Sequence, residues 1–210
     1  MGTTVIAIQT IDGVMIGADT QTSAGALISN KTSDKMNYLT KSIICCRSGS
    51  AADTQNSIEH IRIEILQNLI EWKLSSTVRT IAQFLRDFCY QQKRLSAGFI
   101  CAGWDSFHGG QIYSITQGGC IFLQPIVLMG SGSVFVQGFC DANFNPLMSK
   151  HESLIFLTKA LSLAIFRDSS SGGIIRLANI TKNGIERMIV NPLKPVHKIG
   201  IMKPAKFILV

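Results

Sequence analysis

A threonine lies close to the start of the chain, at Thr3, where cleavage could give it unusual chemistry. A threonine that becomes the first residue carries its own base, because the unperturbed pKa of an α-amino group is about 7.7 to 8.0. Nucleophile and general base then lie on one residue, which suits the hydrolysis of an acyl bond. The Gly2–Thr3 bond would have to be cut first. Without further support, Thr3 is more simply explained as the first residue of a buried strand.

Several other chemistries lack the residues that they need. The cysteines lie in apolar segments without a CxxC pair and the four histidines are scattered, which favours buried reduced thiols over a zinc site. The six cysteines are Cys45, Cys46, Cys89, Cys101, Cys120 and Cys140. No segment matches the GxxxxGK[ST] or GxGxxG spacing of phosphate-binding loops. The net charge is +7, but the basic residues are dispersed without interleaved aromatics, which disfavours nucleic-acid binding.

Length and composition predict a single domain. A chain of 210 residues with 46% hydrophobic residues can bury one continuous core. The opening MGTTVIAIQT lacks the basic and then apolar pattern of a secretion signal, and no window reaches about 18 uninterrupted apolar residues. We therefore expect a soluble protein that is not secreted.

The elements that must position Thr3 follow from the hydrophobic periodicity. The first 19 residues predict two strands joined at Asp12-Gly13, a hairpin turn signal. Ser42 to Cys46 predicts a buried strand that runs into a small-residue turn at 47–50. Apolar residues then recur at helical spacing over 58–69 and again over 81–88, which predicts two helices.

The second half of the chain also predicts strands followed by two helices, and it ends with a further hairpin. Residues 97–104, 111–116 and 120–123 predict strands, and a helical pattern begins at Ser133. Another amphipathic helix, marked by Leu154, Leu157, Leu161 and Ile165, ends near Asp168, and a last hairpin follows over 174–190. Strands, two helices, strands, two helices and strands indicate a layered α+β or α/β fold built from antiparallel hairpins. The segment from 191 to 210 fits neither periodicity and is expected to lie across a surface or a neighbour.

Several motifs make the chain resemble the beta subunits of the proteasome, and in detail their caspase-like type. The segment TTVIAIQTIDGVMIGADTQTSAGALISNKTSDKMNYLTKSIICCRSGSAADTQ carries the family's TT, GAD, DK and SGSAAD in order. The resemblance continues through CAGW, GSGS and DSSSGG to about Pro192. It implies an α+β fold, a four-layer α-β-β-α sandwich of two antiparallel sheets flanked by helices, known as the N-terminal nucleophile hydrolase fold.

The resemblance also assigns catalytic roles, residue by residue. It implies that Thr3 is the nucleophile, with Asp19 and Lys35 beside it. A lysine ammonium favours alkoxide character on the hydroxyl, and an aspartate keeps that lysine charged and oriented. Gly49 matches the family residue whose backbone N–H stabilises the oxyanion. Three residues match positions that hydrogen-bond around the threonine amine and hydroxyl: Ser131, Asp168 and Ser171.

Plainer interpretations of these residues exist outside the family context. Asp19 and Lys35 would fit a surface ion pair, and GSGS would fit an ordinary flexible loop. Residues 168–171 could simply end a helix.

The resemblance further implies a substrate pocket for acidic side chains. Arg47 matches the family position at the base of the primary pocket, where a guanidinium can hold a carboxylate as a bidentate fork. An isolated surface arginine is the alternative. Other positions that match pocket-lining residues are small or polar: Thr22, Ser33, Asn37, Ala51 and Gln55.

Together these assignments predict a catalytic proteasome beta subunit, a threonine endopeptidase that cuts after acidic residues without a cofactor. We expect a propeptide of residues 1–2, a catalytic domain of 3–192 and a tail of 193–210 that contacts other subunits. The resemblance implies stacked seven-membered rings with other beta and alpha subunits, in the cytoplasm and nucleus, acting on unfolded protein or peptide, with no nucleic-acid or membrane partner.

Two features depart from the family pattern, and two alternatives stay open. The leader Met1-Gly2 is short and the tail beyond Pro192 is not typical, although Gly2 keeps the expected cleavage junction. One alternative is a non-catalytic ring subunit, which usually loses the threonine, the lysine or the glycine. The other is a different N-terminal nucleophile amidohydrolase, which would keep the fold but not SGSAAD or Arg47.

Overall fold

A computed structural model describes residues 2–24, 27–72, 77–92, 95–192 and 200–202, with 69–72 and 200–202 described by backbone alone. The helices are α1 (Ala51–Trp72), α2 (Val78–Gln91), α3 (Ser133–Asn143) and α4 (Lys150–Arg167). The first strands are β1 (Val5–Thr10), β2 (Gly13–Ala18), β3 (Thr22–Ala24), β4 (Leu27–Asn30), β5 (Met36–Tyr38) and β6 (Ile43–Gly49). The later strands are β7 (Ala97–Asp105), β8 (Gly109–Ile115), β9 (Ile121–Leu123), β10 (Ile126–Met129), β11 (Ile175–Thr181), β12 (Gly184–Val190) and β13 (Gly200–Met202).

These strands form two larger sheets and one separate hairpin. One sheet has the order β10-β1-β2-β11-β12-β13, the other has the order β5-β6-β7-β8-β9, and β3 pairs only with β4. All pairings among the described strands are antiparallel. β1 therefore has a hydrogen-bonded partner strand on each side, which fixes the position of its first residues.

Alternation along the strands explains the layers. Ile6 and Ile8 of β1 pack against α3 and α4, whereas Val5 and Ala7 face the other sheet. On β6, Ile43 and Cys45 pack under α1 and α2. Apolar residues on both faces of one strand place it between two layers, so the order is helices, sheet, sheet, helices. The predicted α+β fold, a four-layer α-β-β-α sandwich of two antiparallel sheets, is confirmed.

The predicted turn at 47–50 is wrong in part, because β6 continues through Gly49. Arg47, Ser48 and Gly49 pair with Phe99, Gly98 and Ala97 of β7. Small residues such as Ser48 and Gly49 are typical of turns, but here they pair with the neighbouring strand β7. As a result, Arg47 and Gly49 are held in a sheet.

Smaller differences concern turns, short strands and one cysteine. The first hairpin turns at Ile11 and Asp12, since Gly13 pairs with Thr10. The sequence did not predict β3, β4, β5, β10 and β13, which have three or four residues and are too short for a visible alternation. Five cysteines are buried, but Cys120 is exposed in the turn before β9.

The predicted ends of the chain fall mostly outside the described residues. This applies to Met1 and to the tail of 193–210, except for the 200–202 backbone that forms β13 against β12. The contact role of that tail stays a prediction. Among the described helices, none combines the length and the apolar character that crossing a membrane requires.

Candidate active site

The antiparallel order brings distant parts of the sequence to one edge of the six-stranded sheet. β1 begins where β2 and β10 end, because Val5 pairs with both Ala18 and Met129. β11 also begins there, since Arg176 pairs with Ala18. The residues just outside these four strand ends must therefore lie together. They include Thr3, Asp19 and Ser131, and Asp168 at the end of α4 joins them through its hydrogen bonds with Ser131 and Ser171.

Lys35 and Asp19 form a buried ion pair at this edge. The Lys35 Nζ lies 2.6 Å from Asp19 Oδ1, and the two side chains are 6% and 0% exposed. Burial lowers the pKa of Lys35, and the charge and hydrogen bond of Asp19 act against this shift. The alternative of a surface ion pair is wrong, since neither side chain reaches the surface.

The Asp19 carboxylate is further held by the backbone. It accepts N–H donors from Thr4 at 2.9 Å, from Gln21 at 3.2 Å and from Gly172 at 3.1 Å. Such donors offset the cost of removing a carboxylate from water. Asp19 therefore offers Lys35 a fixed partner.

The Thr3 hydroxyl and Lys35 converge on the carbonyl of Gly2. Thr3 Oγ1 donates to the Gly2 oxygen at 2.7 Å, and Lys35 Nζ donates to the same oxygen at 3.2 Å. Gly2 is buried, and a Cβ on it would collide with the Ser170 carbonyl group. The bond predicted for cleavage thus has a nucleophile beside it and an ammonium that polarises its carbonyl.

A second network of hydroxyls surrounds the Thr3 nitrogen. That N–H donates to Ser131 Oγ at 3.3 Å, and the Ser131 and Ser171 hydroxyls both donate to Asp168 Oδ2 at 2.7 Å. Burial opposes ionisation of Asp168, but the hydrogen bonds from Ser171, Ser131 and the Ser170 N–H outweigh it and lower its pKa. The carboxylate therefore keeps its charge at neutral pH. The Ser131 hydroxyl lies between this carboxylate and the Thr3 nitrogen, which would become an amine if the Gly2–Thr3 bond were cleaved.

The GSGS segment packs tightly against the start of β1, so the flexible-loop alternative is wrong. Gly130 has a φ of 98°, which side-chain-bearing residues rarely adopt, and a Cβ there would collide with the Thr3 carbonyl group. A Cβ on Gly132 would collide with the Thr4 hydroxyl. The two glycines let the loop approach closely enough for Ser131 to reach the Thr3 nitrogen.

A small cavity of about 30 Å³ lies beside Thr3. It is lined by Gly2, Thr3, Thr22, Ser33, Lys35, Arg47, Gly49, Ala51 and Thr54. The predicted pocket residues Asn37 and Gln55 do not line it: Asn37 is half-buried in β5 opposite Cys45, and Gln55 points outward from α1. The volume suits about one water molecule, and Gly2 forms part of the wall.

Arg47 presents to this cavity a cation that has no acidic partner among the described residues. Its NH2 group donates to the Asp34 carbonyl at 3.0 Å and its NH1 group to the Ala51 carbonyl at 3.3 Å. Its Nε is buried without a hydrogen-bond partner, and no carboxylate of the described residues lies within ion-pair distance of the guanidinium. Arg47 is half-buried and is not an isolated surface arginine.

Two residues at the site escaped the sequence analysis. Thr54 lines the cavity one helical turn after Ala51, a spacing that could have indicated it. The Thr4 hydroxyl lies 2.8 Å from Ser171 Oγ, while its N–H binds Asp19, so Thr4 links the two charged networks. Only the position of Thr4 beside Thr3 could have suggested this.

Comparison with known proteins agrees with this geometry. The family model described as "Proteasome subunit" matches residues 1–180. The chain belongs to the proteasome subunit family. It is 46% identical to the probable proteasome subunit beta type-1 of Schizosaccharomyces pombe over 89% of this chain and 83% of that protein.

Further relatives are beta subunits of other organisms. Proteasome subunit beta type-6 of Dictyostelium discoideum is 43% identical over 90% of this chain and 89% of that protein. Proteasome subunit beta type-1 of Saccharomyces cerevisiae is 42% identical over 91% and 89%. As a proteasome beta subunit with the N-terminal nucleophile hydrolase fold, the chain is a threonine-type endopeptidase that assembles with other proteasome subunits. These relatives carry two type numbers, beta type-1 and beta type-6.

Proposed function

We propose that this proteasome subunit is the caspase-like catalytic beta subunit, with Thr3 as nucleophile and a preference for cleavage after acidic residues. The observation that carries this proposal is the Arg47 guanidinium beside Thr3, which has no carboxylate partner among the described residues. We further propose that it works in stacked seven-membered rings of a cytoplasmic and nuclear particle and acts on unfolded protein or peptide.

The charge of the cavity supports acidic specificity. Lys35 and Arg47 are the two charged residues among those that line it, and both are cationic. Lys35 already forms an ion pair with Asp19. Within the described part of the chain, Arg47 is bound only to neutral carbonyl groups, and a substrate carboxylate would replace these with stronger charge-assisted hydrogen bonds.

The surrounding groups support a two-step hydrolysis. The Thr3 hydroxyl attacks the substrate carbonyl and passes its proton to the freed Thr3 amine, while Lys35 stabilises the developing alkoxide. We assign the oxyanion donor to the N–H of Gly49, and its position in the cavity wall supports this role. The amine then protonates the leaving nitrogen, and water cleaves the resulting ester. Ser131, Asp168 and Ser171 hold the amine and its proton in place.

The same groups support self-processing at Gly2–Thr3. The hydroxyl lies 2.7 Å from the Gly2 oxygen, and Lys35 polarises that carbonyl from 3.2 Å. Attack moves the Gly2 acyl group from nitrogen to oxygen, and water then releases it. This step creates the free amine that the proposed mechanism requires.

Replacing Arg47 by Ala should selectively weaken cleavage after acidic residues. A carboxylate in the pocket would lose charge-assisted hydrogen bonds worth roughly 1.5 to 3 kcal/mol, or about tenfold to a hundredfold in specificity. We expect kcat/KM for an acidic fluorogenic peptide to fall by that factor in assembled particles, with turnover of a leucine peptide little changed.

Arg86→Ala provides the matched control, because it removes a guanidinium that is 48% exposed on α2 and paired with Asp87. It should leave the ratio of acidic to leucine cleavage unchanged. If Arg47→Ala particles kept the wild-type ratio of acidic to leucine cleavage, Arg47 would not bind the substrate side chain. The proposed acidic specificity would then be wrong.

A further inference from the structure

The segment 32–35 has no regular secondary structure, yet it supplies much of the site. Lys35 is the proposed partner of the Thr3 hydroxyl, and Ser33 lines the cavity. The Asp34 carbonyl holds the Arg47 guanidinium at 3.0 Å. Two backbone hydrogen bonds hold it, from the Ser33 N–H to the Thr20 carbonyl and from the Arg47 N–H to the Lys35 carbonyl, and the other contacts that hold it come from side chains.

The Asp34 side chain is held from strand β12 by Arg187. Two parallel contacts form a fork, with Arg187 NH2 at 2.8 Å from Asp34 Oδ1 and Arg187 NH1 at 2.8 Å from Oδ2. The Met36 N–H also donates to Oδ1 at 3.0 Å. A bidentate fork fixes the direction as well as the distance of a carboxylate.

Arg176, on the neighbouring strand β11, holds the start of the same segment. Its NH2 group donates to the Thr32 carbonyl at 3.1 Å, and its NH1 group lies 3.8 Å from Asp34 Oδ2. Two arginines from adjacent strands of the six-stranded sheet thus hold a segment that belongs to the start of the other sheet. We call these contacts the arginine clamp, formed by Arg176, Arg187 and Asp34.

Arg187 is itself rigidly placed. Its side chain is 8% exposed and its guanidinium lies 5.7 Å from the centre of the Tyr38 ring. It shares a strand face with Ile185, which packs between the two sheets, and its cross-strand partner is the small residue Ala178. A cation at the edge of an apolar layer is costly unless it is paired, so this arginine is fixed by the contacts it makes.

We propose that Arg187, acting through Asp34, is a positioning residue that sets both the reactivity of Thr3 and the preference for acidic substrates. Moving Asp34 displaces the neighbouring Lys35 and the carbonyl that orients Arg47. The inference about substrate preference rests on the proposed function, whereas the inference about Thr3 reactivity requires only that Thr3 is the nucleophile.

The test uses assembled particles that carry Arg187→Met, Arg187→Lys or Asp34→Asn. One readout is the rate at which Thr3 is modified by a peptide epoxyketone with leucine next to the epoxide, followed by subunit mass. The other is kcat and KM for acidic and leucine peptides. Glu186→Gln is the control, since Glu186 is the preceding residue on β12 and pairs with Lys150 at the surface.

We expect Arg187→Met to slow Thr3 modification at least tenfold, mainly through the chemical step, and to lower the acidic-to-leucine ratio at least threefold. Arg187→Lys, which keeps the charge, should fall between this variant and the wild type, and Glu186→Gln should stay within twofold. If the Arg187→Met subunit does not assemble into particles, Asp34→Asn tests the proposal instead. The Asp34 side chain is 36% exposed, and asparagine preserves its shape, so this variant should assemble.

Lower thermal stability with wild-type modification rates would overturn the proposal, because it would make the arginine clamp purely structural. Slowed modification with an unchanged ratio would overturn only the part about substrate preference. The leucine probe does not depend on an acidic pocket. Failure of the proposed acidic specificity would appear separately, in wild-type and Arg47→Ala particles, and would leave the modification rates interpretable.

Discussion

Particles that carry Thr3→Ala should show no cleavage after acidic residues by this subunit. The change removes the hydroxyl that donates to the Gly2 carbonyl at 2.7 Å, and no other hydroxyl of the described residues donates to that oxygen. Without the nucleophile, the Gly2–Thr3 bond also stays intact. Thr3→Ser should retain part of the activity, because it keeps the hydroxyl but loses the methyl group that restricts its rotamers.

Two measurements check this prediction. Turnover of an acidic fluorogenic peptide should vanish with Thr3→Ala and remain normal with Thr116→Ala, a control on the loop after β8. The mass of the wild-type subunit from active particles should correspond to a chain that starts at Thr3, whereas Thr3→Ala should keep Gly2. Active particles whose subunit uniformly keeps Gly2 would contradict both self-processing and the role of the Thr3 amine as base.

Lys35→Met should lower kcat by roughly two to three orders of magnitude, the range associated with the loss of one group that stabilises developing negative charge. The subunit should still fold, because the Asp19 carboxylate keeps its N–H donors from Thr4, Gln21 and Gly172. Methionine fills nearly the same volume as the lysine stem. The loss should therefore appear in kcat and in slow removal of Gly2.

The matched control is Lys150→Met, which removes an exposed ammonium at the start of α4. It should leave peptide turnover and Gly2 removal unchanged. If Lys35→Met particles had wild-type kcat and a fully processed subunit, Lys35 would be a structural cation only. The 3.2 Å contact with the Gly2 carbonyl would then have no chemical role.

The layered fold could be predicted because long periodic segments carry its core. The helical spacing of Ile58, Ile61 and Ile65 and the continuous apolar run of β6 each reflect burial in the final structure. The end of β6 could not be predicted, because its small residues favour a turn until β7 supplies hydrogen bonds to them. A contact that depends on a partner strand leaves no local mark on the sequence.

The site divides in the same way. Asp19 and Lys35 could be placed together through motif resemblance, and the structure brings them to 2.6 Å. The contact between Arg187 and Asp34 could not be predicted, because it depends on the order of the strands in the sheet. β12 comes close to the segment before β5 because β11 pairs with β2. The pocket role of Gln55 stays a prediction: Gln55 follows Thr54 by one residue on α1, and its side chain is exposed.

The position of Gly2–Thr3 just before a doubly paired strand also determines how the proposed self-processing depends on concentration. β1 is bonded to β2 and β10 and begins two residues after Thr3, and the buried Gly2 carbonyl lies beside the Thr3 hydroxyl of its own chain. The fold has already removed the translational freedom of nucleophile and carbonyl, an arrangement equivalent to effective molarities of up to about 10⁵ to 10⁸ M. We therefore expect the proposed processing to be first order in the subunit, with a half-time that does not change when the particles are diluted.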